Sequence, residues 1–179
     1  MRKIASGLFI SLDGVTEAPN EWQFDVFDQD MGEAMGGMMA EADAALLGRV
    51  TYQEWADYWP TSKDEPFASF INNIPKYVVS TTLDTVAWQN STLIKADLAE
   101  AITRLKQQPG KTINVLGSPT LVRSLLEQDL LDELTLMVHP VVAGKGKRLF
   151  PGASDLKRMQ LTSHKITGSG VALLTYKPR

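Results

Sequence analysis

The run Thr112-Ile113-Asn114-Val115-Leu116-Gly117-Ser118-Pro119-Thr120-Leu121 limits the fold more than any other stretch of the chain. An apolar, β-branched run stops at a glycine, a serine stands where a helix N-cap belongs, and a proline fills the first helical position. Leu121, Val122, Leu125 and Leu126 follow at helical spacing, so the stretch reads as a strand, a tight turn and a helix. A helix opening there directs unpaired N–H groups and the positive end of its dipole over the edge of a sheet, and Gly117 removes the Cβ that would block close approach. The same residues fit either an anion site or a plain packing turn.

The pattern recurs upstream. Ala44-Ala45-Leu46-Leu47 ends at Gly48, and Arg49, Val50 and Thr51 lead into a helix with an aromatic face of Tyr52, Trp55 and Trp59 that Pro60 stops. Thr51 to Glu54 has the T-x-x-E form of a capping box, which puts the N-cap at Thr51. Arg49 stands either as a phosphate partner or as a solvated surface arginine. Together the two junctions are placed to clamp a diphosphate from two sides. A third apolar strand, Lys76 to Val79, finishes in Ser80-Thr81-Thr82, hydroxyls that either bind a phosphate or ribose or close the turn among themselves.

Around these junctions the chain alternates strand and helix and then turns to strands only. Ile4 to Leu12 reads as a strand containing Gly7 and ending at Asp13-Gly14. Val15 to Phe27 has no period and is expected to be a long loop covering something. Met31, Met35, Met38, Met39 and Ala42 form a stripe on a helix over 30–42, read as core packing. Asp97 caps a further helix with Leu98, Ala101, Ile102 and Leu105 inward. Leu134, Leu136 and Val138 alternate along a half-buried strand, with His139 expected to face its neighbours there, and Gly144 to Lys147 form a basic, flexible loop. Stretches 160–166 and 171–176, joined by Gly168-Ser169-Gly170, read as a closing hairpin. No linker divides the chain, so residues 1–179 are expected to form a single α/β domain: three layers, a mixed, mostly parallel central sheet, and an antiparallel C-terminal hairpin.

Composition narrows the chemistry. With no cysteine, disulfides, thiolate catalysis and cysteine-based zinc or iron–sulfur sites are excluded, and the only imidazoles, His139 and His164, are too far apart for a helical metal pair. No metal site is expected. A formal net charge of -3 argues against a nucleic-acid surface. No apolar run approaches the ~20 residues of a membrane span. Met1-Arg2-Lys3-Ile4 leads straight into a strand pattern without a signal peptide's apolar core, so the cytoplasm is the expected compartment.

The chain resembles the dihydrofolate reductase-like superfamily, and within it the reductase domain that ends the bacterial bifunctional riboflavin-biosynthesis deaminase-reductase. The resemblance is carried by Ser11-Leu12-Asp13-Gly14-Val15, by Leu47 to Tyr52, by Val79 to Thr82, by Val115-Leu116-Gly117-Ser118, by Leu130 to Leu136 and by Pro140 to Gly146, in that order and spacing. It implies an NADPH-dependent reductase of a small heterocycle, most like 5-amino-6-(5-phosphoribosylamino)uracil reductase of riboflavin biosynthesis. The alternatives are a dihydrofolate reductase or a nucleotide-binding paralogue without turnover. The resemblance further implies that Gly48, Arg49, Val50 and Thr51, with Gly117, Ser118, Pro119, Thr120 and Leu121, face the cofactor's diphosphate. Ser80, Thr81 and Thr82 then face the ribose phosphate, and Leu12, Asp13, Gly14 and Val15 flank the nicotinamide. Asp25, Asp28 and Glu33 are the candidates for the helix carboxylate that protonates substrate in folate reductases.

The chain departs from the family pattern at two of these turns. Ser118 stands where a second glycine is usual, and Thr81 and Thr82 stand where an arginine often follows the serine, which leaves NADH open beside NADPH. A homodimer is expected by analogy. The His and Cys ligands of a deaminase domain are missing, so the reading is of a free-standing form.

Overall fold

The computed structural model describes residues 1–95, 97–152 and 155–179. Among these residues eight strands form one sheet in the order β4-β3-β2-β5-β1-β6-β8-β7. β1 (Ile4–Ile10), β2 (Ala42–Gly48), β3 (Lys76–Val79), β4 (Ser91–Ile94), β5 (Thr112–Gly117) and β6 (Glu133–Val138) run parallel to their neighbours. β7 (Met159–Ile166) and β8 (Ala172–Pro178) close the edge antiparallel, as the spacing of the last two apolar runs predicts.

Each helix forms because one apolar stripe finds a face of this sheet. Alternation along β2 splits the core: Ala44 and Leu46 point to one side, Ala45 and Leu47 to the other. On the first side, α4 (Leu98–Gln107) buries Ile102 and Leu105, and α5 (Pro119–Glu127) buries Leu121, Val122, Leu125 and Leu126. On the second side lie α2 (Arg49–Tyr58), α3 (Phe67–Asn73) and α1 (Gln29–Glu41). Of the expected methionine stripe, Met31, Met35 and Met38 are core, packing with Met137, Val171 and Leu173, whereas Ala42 already begins β2. The glycine inside β1 is explained by the same packing, because a Cβ on Gly7 would stand 2.8 Å from the Met38 sulfur.

Lys76, the first residue of β3, is fully buried. Its ammonium donates to the carbonyls of Ile71 (2.8 Å) and Ile74 (3.0 Å) at the end of α3, and it lies 4.5 Å from the centre of the Trp88 ring. Free carbonyls and a π face thus replace water around the charge. Burial still pushes its pKa down to about 8.

The capping-box expectation needs correction. α2 starts at Arg49 with Gly48 as its N-cap, so Thr51 lies inside the first turn and caps nothing. Gly48 at φ -77 and ψ 160 supplies the extended backbone that a cap requires, three residues before the cap position of the T-x-x-E signature.

Candidate active site

The carboxyl ends of β3, β2, β5, β1 and β6 lie side by side, and each delivers one of the segments singled out above. Val79 pairs with Gly48, and Leu47 pairs with Gly117, so the Ser80, Gly48-Arg49 and Gly117-Ser118 turns are neighbours along one edge. α2 and α5 leave adjacent strands towards opposite faces of the sheet. Such a switch point opens a crevice at the strand ends, the usual ligand position in open α/β sheets.

The two glycine turns interlock across that crevice. A Cβ on Gly117, which has φ +130, would lie 2.9 Å from the Thr51 hydroxyl, and a Cβ on Gly48 would lie 2.9 Å from the Ser118 hydroxyl. The peptide bond between Gly117 and Ser118 is cis. Ser118 is the N-cap residue of α5, yet its side chain makes no cap hydrogen bond, and α2 has no side-chain cap either. First-turn N–H groups of both helices are therefore left for another acceptor, and two dipole ends meet at one place. Arg49 is exposed, with one guanidinium nitrogen donating to Gln53 at 2.8 Å.

Beside the start of α5 lies a recess of about 200 Å³ walled by Pro119, Thr120, Arg123, Gly146, Lys147, Arg148 and Pro151. Arg123 reaches the carbonyl of Leu149 at 3.0 Å and Arg148 the carbonyl of Asp13 at 2.8 Å, so the cations are held by the loops they line. Neither arginine stands in a motif of the sequence. Arg123 follows Thr120 at i+3, a helical spacing, but Arg148 arrives through an isolated bridge to Val15 that no local pattern announces. A larger recess, about 720 Å³, lies between α2 and the stretch 83–89, with Asp57 and Trp88 in its wall. It lacks the converging N–H groups and cations of the strand-end crevice, which is the better candidate site.

In the third turn Ser80 is a builder. Its hydroxyl oxygen accepts from the N–H groups of Thr82 (3.1 Å) and Leu83 (3.0 Å), while Thr81 and Thr82 are exposed. Past β1, Leu12 points outward and Val15 is buried. Asp13 accepts from the Ser11 hydroxyl (2.6 Å) and from the N–H groups of Ala143 and Gly144 (both 2.9 Å). The Ser11 hydroxyl and then the two amides hold its pKa down to about 2. With Lys147 paired to Glu17 at 3.1 Å, the basic loop expected to be flexible is instead clasped at two points.

The three carboxylates named from the family are dispersed. Asp28 caps α1 by accepting from Met31 N–H (3.0 Å) and also accepts from Ser169 N–H (2.7 Å), bonds that lower its pKa. Glu33 accepts from Gln29 at 2.9 Å on an exposed face, and Asp25 is exposed. The residue on the inner face of the first turn of α1 is Met31, fully buried. Among the described residues no group of three or more His, Asp or Glu side chains is arranged to hold a metal, and no helix is long and apolar enough to cross a membrane.

Comparison with known proteins agrees with this architecture. The model of the RibD C-terminal domain family matches residues 2–173. The uncharacterized protein YyaP of Bacillus subtilis is 30% identical over 98% of this chain and 94% of its own length. A Shewanella sp. PV-4 protein named for riboflavin biosynthesis shares the fold at a TM-score of 0.82 and 19% identity, covering 99% of each chain. Dihydrofolate reductase from Enterococcus faecalis, complexed with NADP(H), superposes at a TM-score of 0.64 and 13% identity, covering 99% of this chain and 96% of that one.

Proposed function

Given that the chain belongs to the RibD C-terminal domain family, we propose that it is an NADPH-dependent reductase of a small heterocycle, with 5-amino-6-(5-phosphoribosylamino)uracil as the model substrate. The observation that carries the reading is the meeting of two uncapped helix N-termini across Gly48 and Gly117, beside a recess lined by Arg123, Lys147 and Arg148. An extended diphosphate suits that arrangement, because it brings two negative groups to two dipole ends and takes up the free N–H groups.

In this reading Gly48 to Thr51 and Gly117 to Leu121 hold the diphosphate. Thr81 and Thr82 receive the ribose phosphate, and Ser80 keeps that turn in shape. Leu12 to Val15 flank the nicotinamide, with Asp13 fastening their loop to Ala143 and Gly144. When bound, the cofactor supplies the hydride; the protein supplies position and a site from which water is excluded. A folate reductase is the weaker reading, since Met31 occupies the inner face where α1 would have to present a carboxylate. The chain is further proposed to pair as a homodimer in the cytoplasm.

The test is NADPH binding and NADPH oxidation with the aminopyrimidine and, separately, with dihydrofolate. Turnover of the pyrimidine is the expected outcome; binding without turnover on either compound means a nucleotide-binding paralogue. Gly117→Asp should abolish NADPH binding by steric block and charge repulsion, and unchanged affinity in a folded variant overturns the site.

A further inference from the structure

His139 follows β6 directly, and its ring is fully buried at the carboxyl edge of the sheet. Nδ1 lies 2.9 Å from the carbonyl oxygen of Met137, which can only accept, so the ring proton is on Nδ1. Nε2 is left with a lone pair and, among the described residues, no partner. Phe9 of β1 and Trp22 of the loop after β1 pack against the ring, with centroids at 5.5 Å and 5.2 Å.

Little else holds the middle of that loop down. Its two short 3-10 turns, Pro19–Glu21 and Phe24–Val26, have no side-chain cap and contain no buried residue. Ala18 takes a left-handed conformation at φ 47, and the buried Gln23 keeps its Oε1 without a partner. The ends, by contrast, are fixed: Thr16 N–H donates to the Lys147 carbonyl at 3.0 Å, and the Val26 carbonyl accepts from the Ser169 hydroxyl at 2.6 Å. A segment with few buried contacts between two firm ends is one that opens locally.

We propose that His139 is a positioning residue: its neutral ring is the seat that holds Trp22, and through it the stretch 18–25, closed over the nicotinamide end of the crevice. The kinetic part of this inference rests on the reductase reading; the seat itself does not. A proton added to the ring must go to Nε2, which puts a charge and an unmatched donor into a buried place. Asp25, in the same stretch, is the charged group that acts on the ring, and it favours the proton; Phe9 and Trp22 bring no charge. Burial outweighs Asp25 and the Met137 carbonyl, so the closed form holds the ring below its ordinary pKa. Opening returns the ring to water, and by linkage acid favours the open form.

The experiment follows Trp22 fluorescence, taken as the difference between the native chain and Trp22→Phe, from about pH 8 to about pH 5. Kinetics over the same range run in parallel. The expected result is a Trp22 transition and a matching fall in kcat/KM in acid. Both should be absent in His139→Phe, which keeps an aromatic ring that cannot titrate, while its kcat near pH 8 stays close to native. His139→Ala, which removes the seat, should raise KM by about 10-fold with the fold intact by circular dichroism. A native chain with no Trp22 transition, or His139→Phe retaining one, overturns the proposal. A transition tied to His139 in a protein that reduces nothing leaves the seat standing and removes the reductase reading.

Discussion

At the residue scale, the two glycines of the site differ in what a side chain would meet. A Cβ on Gly117 has to adopt φ +130 and meets Thr51. Gly117→Ala is therefore expected to cost ~1–3 kcal/mol in urea unfolding and to weaken NADPH binding. A Cβ on Gly48 meets first the Ser118 hydroxyl, the end of a side chain that can turn, and then the Ser118 nitrogen at 3.1 Å. Gly48→Ala should be milder, and adding Ser118→Gly should recover part of the loss; strictly additive effects would refute this contact. Away from the site, Lys76→Met leaves the carbonyls of Ile71 and Ile74 without their donor and should destabilise by ~1–3 kcal/mol at neutral pH. The folded pKa of Lys76 is about 8 against an ordinary 10.5, so between these values the unfolded chain holds the extra proton. The contribution of this group to stability thus rises with pH across that window, and Lys76→Met should remove that part of the slope in urea titrations.

At the element scale, loops of the site are tied by carboxylates that sequence spacing did not connect. Asp13 joins the turn after β1 to the segment after β6, and it is ionised in the fold down to about pH 2. Its folded pKa is depressed below the ordinary 3.8, so its contribution is present above that value and fades as pH falls through about 2. Asp13→Asn should loosen both loops at neutral pH, seen as faster amide exchange at Ala143 and Gly144, and the native chain should show the same loosening only in strong acid. Asp28 and Asp30 fasten α1 to the turn of the C-terminal hairpin through Ser169, Gly168 and Lys165. Asp28→Ala should cost ~1 kcal/mol from the lost cap alone, more with the hairpin contact, measured by thermal unfolding. These ties explain why the family's carboxylate role was not legible here: Asp28 looks like a free helix-start acid until the hairpin, 141 residues away, is folded against it.

At the scale of the whole molecule, β7 forms an outer edge of the sheet and is exposed along most of its length, with Leu161 at 47% and Ile166 at 62%. An exposed edge strand with apolar side chains is suited to a second copy of the chain. Sedimentation is expected to give a dimer, with Leu161→Lys and Ile166→Lys together shifting it to monomer. The alternation of strands and helices, the methionine face of α1, the Asp97 cap and both glycine junctions were all determined by the sequence itself. Each depends on periodicity, turn chemistry or N–H groups within a few residues. Tertiary structure alone decided that α2 has its N-cap at Gly48 and not at Thr51, that Ser118 turns to Gly48 in place of capping, that Arg148 joins Arg123 at the recess, and that His139 is sealed under Trp22. These are contacts between segments far apart in the chain, and a side chain's partner across such a distance is fixed by packing, which no local pattern encodes.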